Sequence, residues 1–174
     1  MKNDRIRNPF WALVFLGYGA LMLYLLFFKD RTAMEGVPYW QQVKNNYNMA
    51  LWHTIGNFWD ILVRPEYYME KWGAVAIYRA NAQIAFVNLV GNVVMFVPFG
   101  AFLPAMWPKL QKAWKAIPVG GLCILTVELL QLFTLLGKCD VDDVLLNMTG
   151  IIAGYALWRL CKTARKGKRE KGGT

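Results

Sequence analysis

Four long apolar runs separated by short charged segments dominate the chain. Residues 10 to 28, FWALVFLGYGALMLYLLFF, carry no charge and stop at Lys29-Asp30-Arg31. As a helix rising 1.5 Å per residue this run is about 28 Å long, which matches a hydrocarbon core of about 30 Å. Comparable runs occupy residues 84–107, 116–136 and 144–160. The pattern predicts an all-α membrane protein, a single bundle of four transmembrane helices over residues 1–174. Pro98 falls inside the second run and is expected to kink it, whereas Pro118 lies near the start of the third, where proline is tolerated. The first run is preceded by basic residues, as a signal peptide would be. Its apolar core exceeds the usual length of about 7–15 residues and no clean small-x-small site follows, so an uncleaved anchor is expected.

Between the first two runs, residues 29–83 follow a different pattern. Tyr39, Trp40, Tyr47, Trp52, Trp59, Tyr67, Tyr68, Trp72 and Tyr78 give this stretch the aromatic content of a membrane interface. Met49, Trp52, Ile55, Trp59 and Leu62 recur at helical spacing, which predicts a short helix lying in that interface. The segment suits either a compact cap over the bundle or a lid over a ligand.

Composition agrees with the pattern. Apolar residues without glycine reach 56% and charged residues only 18%, against about 45–50% (with glycine) and about 25% in soluble domains. The net charge of +9 invites a nucleic-acid reading. The distribution argues against it: Lys2, Arg5 and Arg7, then Lys109, Lys112 and Lys115, then seven basic residues from Arg159 to Lys171 each flank an apolar run. Segment 29–83 balances six basic residues against five acidic ones, and the 137–143 turn holds only Lys138. The positive-inside rule therefore predicts both termini in the cytoplasm, residues 29–83 outside, a lipid bilayer as partner and no nucleic acid.

His53 is the only histidine, which excludes bis-histidine haem ligation and the paired helical histidines of zinc proteases. No GxGxxG or GxxxxGK[ST] loop occurs. Cys123, Cys139 and Cys161 fall at different predicted depths, so no intramolecular disulfide is expected.

Polar residues inside the apolar runs carry the candidate chemistry. Glu128 lies in LTVELLQLF with Gln131 on the same helical face. A carboxyl in lipid is costly unless it faces the protein interior or has a partner, which makes Glu128 the leading candidate. The second run contributes Asn88 and Asn92 around Gly91, and the fourth Asn147, Gly150 and Gly154 on one face. Gly150-Ile-Ile-Ala-Gly154 is also a GxxxG packing motif. With the predicted orientation, Asn92 and Glu128 lie roughly 12 Å and Asn147 about 5 Å below the outer ends of their helices. Just above them, the turn from Lys138 to Asp143 concentrates Asp140, Asp142 and Asp143. Asn92, Glu128 and Asn147 are expected to converge on one interhelical pocket with Asp143 at its mouth, Glu128 pairing with an asparagine such as Asn92 or Asn147. A closed hydrogen-bond network that merely holds the helices together is the other reading.

The order of these pieces resembles the VanZ-like family of small bacterial membrane proteins. The pieces are Asn88-Leu-Val-Gly-Asn92, Phe96-Val-Pro-Phe-Gly100, Glu128-Leu-Leu-Gln131 and Asp140-Val-Asp-Asp-Val-Leu-Leu-Asn147-Met-Thr-Gly150, within a core of residues 84–160. The family commonly has an arginine before the acidic turn, where this chain has Lys138, which would weaken a bidentate anion contact. It also often carries an Asn-Leu-Ile-Pro-Phe-like patch after the first span, and no such run occurs from Asn45 to Leu62. The resemblance implies a bacterial plasma-membrane protein of the cell envelope, of a kind associated with resistance to glycopeptide antibiotics, teicoplanin in particular.

Three functions fit these residues. The first is recognition of an amphiphilic envelope lipid, a lipid-linked wall component or a glycopeptide at the outer leaflet. The second is an enzyme acting on a lipid-linked substrate through Glu128, Asp140, Asp142 and Asp143, with or without a divalent cation. The third is an assembly module whose polar residues serve packing alone. No metal site is assigned, and cofactor and oligomeric state stay open.

Overall fold

A computed structural model describes the backbone of residues 9–28 and 33–171, and the side chains of 10–28 and 33–165. Lys2, Arg5 and Arg7, the Lys29-Asp30-Arg31 stop and the side chains of the tail beyond 165 lie outside the described residues. Among the described residues, four helices are long and apolar enough to cross a membrane. They are α1 (Pro9–Phe27), α5 (Val75–Met106), α6 (Ala113–Thr134) and α7 (Val141–Lys171). Between α1 and α5 lie three short helices, α2 (Tyr39–Asn45), α3 (His53–Val63) and α4 (Pro65–Trp72), which form the cap end of the molecule. The protein is an all-α membrane protein.

Two of the long helices exceed their apolar runs. α5 begins at Val75, so the segment between the first two spans ends nine residues earlier than the hydropathy pattern predicts. The added turns carry Tyr78, Arg79, Asn81 and Gln83 and continue the helix up beside α3 and α4, which pack on α5. α7 runs from Val141 through the basic stretch after Leu160. α5 remains helical through both Pro98 and Pro104. Large apolar side chains such as Leu13, Leu122, Leu129 and Ile152 stand exposed on the outer faces, as lipid contact requires.

The centre of the bundle is the contact between α5 and α7. A methyl group at Gly150 or Gly154 would run into the carbonyl oxygens of Val93 and Val97, and one at Gly100 into that of Ile151. The two backbones therefore touch directly, the arrangement that small residues permit in a bilayer, where apolar burial supplies no drive between helices. Phe96, Ile124 and Ile151 fill the space between α5, α6 and α7, joined by Met22 of α1. α1 attaches through side chains. Phe15 meets Phe102 and Trp107 edge-on at centroid distances of 5.5 and 5.7 Å, and the Tyr18 hydroxyl donates to the Met95 carbonyl at 2.6 Å. At the opposite end from the cap, the Gln111 carbonyl accepts from Tyr155 at 2.9 Å and its side-chain oxygen from Lys162 at 2.7 Å.

The cap contains one feature that a purely helical reading omits. Residues Tyr47–Asn48 (β1) pair in parallel with Cys139–Asp140 (β2), Tyr47 opposite Cys139 and Asn48 opposite Asp140. The interfacial helix predicted from Met49 starts at His53 instead. Trp52 takes a left-handed conformation, φ 65°, which ends any helical path from Met49, and its amide is directed to the α6–α7 turn.

Replacing Gly154 with alanine should lower the thermal midpoint of the detergent-solubilised protein, because the new methyl meets backbone that can move only with the helix. Overpacking of this kind costs about 1–3 kcal/mol. Gly19→Ala in α1, where nothing lies within 4 Å, should leave the midpoint unchanged or raise it slightly.

Candidate functional site

The turn from α6 to α7 brings the acidic residues to the cap. α6 ends where Leu135 turns left-handed, φ 56°. The side-chain amide of buried Asn46, just after α2, donates to the Gly137 carbonyl at 2.8 Å and to the Gln131 carbonyl at 3.3 Å. The Asn46 carbonyl in turn accepts from the Cys139 amide at 3.1 Å. Asn46 thereby gives the Gln131 carbonyl, which also accepts from the Leu135 amide, a second donor, and it satisfies the Gly137 carbonyl of the turn.

From this turn the three aspartates diverge. Asp140 precedes α7 and accepts from the Asp142 amide at 2.9 Å, in the manner of a helix N-cap. Its other oxygen accepts from the Thr54 hydroxyl at 2.6 Å and the Asn48 amide at 3.1 Å. Asp142 is fully buried, and its carboxylate accepts from the backbone amides of Trp52, Thr54 and Ile55 at 2.7, 2.8 and 3.1 Å. It occupies the N-terminus of α3, where open N–H groups and the helix dipole favour a negative charge. Asp143 instead faces α5, accepting from the Asn92 amide at 2.7 Å.

Below the turn lies a cavity of about 590 Å³. Asn88, Asn92, Glu128, Gln131, Asp140, Asp143 and Asn147 line it, together with Lys138, His53 and Thr54. Seven of the eight residues proposed from sequence thus share one cavity; Asp142 does not line it, because its carboxylate is turned into the start of α3. Buried Glu128 accepts from the Asp140 amide at 3.0 Å, rather than pairing with Asn92 or Asn147. The difference arises because the turn folds back over α6 and places a backbone donor against the carboxyl. Asn88 bonds its own helix at Ile84, and Gln131 reaches the Leu26 carbonyl of α1 at 2.8 Å. Asn147 is 2% exposed, and its side-chain oxygen has no partner among the described residues. The lining also includes apolar side chains, Leu25 and Leu26 of α1, Phe58 of α3, and Val87 and Met95 of α5.

Among the described residues, no group of three or more His, Cys, Asp or Glu side chains is arranged to hold a metal ion. The described cysteines are free. Cys139 is buried in the turn, and burial, with the neighbouring Glu128, Asp140 and Asp143 adding to it, pushes its thiol up to about 11. It remains protonated and a poor nucleophile at neutral pH.

Asn46, Asn48 and Thr54 are the residues that sequence reasoning missed. Their signal was the amide-rich Asn45-Asn46-Tyr-Asn48 in a segment whose aromatic content dominated the reading.

Asp142→Leu should release α3, since the amides of Trp52, Thr54 and Ile55 lose a charged acceptor, and a hydrogen bond to a charged group contributes about 1.5–3 kcal/mol. Hydrogen exchange at residues 53–63 should accelerate strongly while exchange in α5 and α7 changes little. Asp142→Asn, which keeps one acceptor oxygen, should give an intermediate rate.

A family model described as VanZ/LLP1 matches residues 15–162, most of the chain and all four long helices in whole or in large part. None of the curated proteins and none of the solved structures matches the chain. The matched region contains the cavity, the acidic turn and the cap that it secures. By that match the chain belongs to the VanZ/LLP1 family.

Proposed function

We propose that this VanZ-like membrane protein binds an amphiphilic molecule of the cell envelope, a lipid-linked wall component or a glycopeptide, at the outer leaflet of the bacterial plasma membrane, and so contributes to teicoplanin-type resistance. The observation that carries the reading is the mixed lining of the cavity. It combines apolar side chains of α1, α3 and α5 with carboxyl and amide groups of α5, α6 and α7. Ligand sites commonly have volumes of about 300–1,000 Å³, with an apolar lining and a few convergent polar groups. An amphiphile offers a partner to both kinds of lining. Resistance follows if the bound molecule is the drug, or the envelope component through which the drug acts.

The proposed topology puts the cap outside and both termini in the cytoplasm. Lys109, Lys112, Lys115, Arg159 and Lys162 lie at the end opposite the cap, which accords with the positive-inside rule. In a cysteine-free background, a membrane-impermeant thiol reagent applied to intact cells should modify Asn45→Cys and spare Thr163→Cys. The reverse pattern would invert the orientation and put the cavity at the cytoplasmic face.

In a susceptible Gram-positive host in which the parent protein raises teicoplanin tolerance, Glu128→Gln should reach normal abundance and lose that tolerance. Glutamine retains an oxygen for the Asp140 amide, so the fold is kept, but it carries no charge. A charge-assisted hydrogen bond contributes about 1.5–3 kcal/mol, so its loss weakens binding by at least about tenfold. Full tolerance from normally expressed Glu128→Gln would return Glu128 to a packing role.

A further inference from the structure

We infer that the polar end of the cavity is a site for an organic ammonium group, the cationic head of an amphiphile bearing N–H donors. The inference rests on the amphiphile-binding reading above and narrows it to a ligand class. It begins from hydrogen-bond capacity. On the polar lining, Asn92 donates to Asp143, Gln131 to Leu26, Asn88 to Ile84 and Thr54 to Asp140. The Asn147 oxygen, in a side chain 2% exposed, has no donor among the described residues. Glu128 is buried beside the same space, and its carboxyl keeps acceptor capacity beyond the position that the Asp140 amide takes. A ligand that satisfies the Asn147 oxygen and the open positions of Glu128 must donate.

Charge gives the same direction. Glu128, Asp140 and Asp143 contribute three carboxyl groups to the lining and Lys138, which is exposed, one ammonium. A phosphate or carboxylate head would meet like charge at the inner wall. A primary ammonium brings positive charge and three N–H donors. A bare divalent cation is a poorer fit, since calcium takes about 6–8 oxygen ligands, and among the described residues no cluster of acidic or imidazole side chains is arranged for one. Leu25, Leu26, Phe58, Val87 and Met95 then receive the apolar part of the same molecule. Both an aminophospholipid headgroup and the amine of an amphiphilic drug carry this chemistry.

Titration of the purified full chain in maltoside micelles, followed by native mass spectrometry, tests the inference with three probes sharing one tail: decylammonium, decyltrimethylammonium and decanol. Decylammonium should bind at one per chain, at least about tenfold more tightly than either of the others, because only it combines charge with N–H donors. Asn147→Leu should weaken decylammonium to the level of decanol, and Asn147→Asp should tighten it. Equal binding of the three probes would overturn the ammonium assignment and leave the amphiphile site standing, whereas binding of none would remove both. The comparison of probes on the parent protein decides the matter even if a variant fails to fold. Nanodiscs of phosphatidylethanolamine, set against phosphatidylcholine, and teicoplanin added in micelles then distinguish the sources. Retention of phosphatidylethanolamine alone identifies a lipid head, and displacement of decylammonium by teicoplanin identifies the drug amine. Failure of all of these to compete with decylammonium would limit the site to small alkylamines and overturn its assignment to an envelope amphiphile.

Discussion

The carboxylate of Asp142, buried at the start of α7 and bonded to three amides at the start of α3, is the interaction on which the cap depends. A carboxylate with no exposure needs donors, and a helix N-terminus without a side-chain cap of its own needs acceptors. Each requirement meets the other across a sequence separation of nearly ninety residues. Asp140 extends the junction to Asn48 and Thr54, and the short β1–β2 pairing sets its register. With the junction formed, α3 covers one side of the cavity and Phe58, His53 and Thr54 become part of its lining. Asp140 and Asp142 therefore belong to the construction of the site.

The direct backbone contact of α5 and α7 sets the other dimension of the site. Gly150 lies three residues beyond Asn147, one turn along the same face, so the close approach at Gly150 also draws Asn147 against α5. The same approach brings Asp143 within hydrogen-bond reach of Asn92. Packing and polar chemistry are thus alternatives only when residues are taken singly. Asn92 and Asp143 tie helices together, as the packing view requires, while Glu128 and Asn147 keep unused acceptor capacity next to an open volume.

Much of this protein was legible from its sequence, for a physical reason. In a bilayer every apolar run of sufficient length must close its own backbone hydrogen bonds, so hydropathy alone determined four helices and an all-α membrane protein. Cost in lipid likewise marked Glu128, Asn92, Asn147 and the acidic turn as residues needing partners. The partners themselves were decided by tertiary structure. Nothing local distinguishes Asp142 from Asp143: both lie in the first turn of one helix, one residue apart. The rotation of about 100° between them sends one to the N-terminus of α3 and the other to α5 and the cavity. The lone amides Asn46 and Asn48, and the left-handed Trp52 that delays α3, acquire their roles only from a turn more than eighty residues away. Periodicity records which face of a helix is polar, while the fold alone brings the complementary donor to that face.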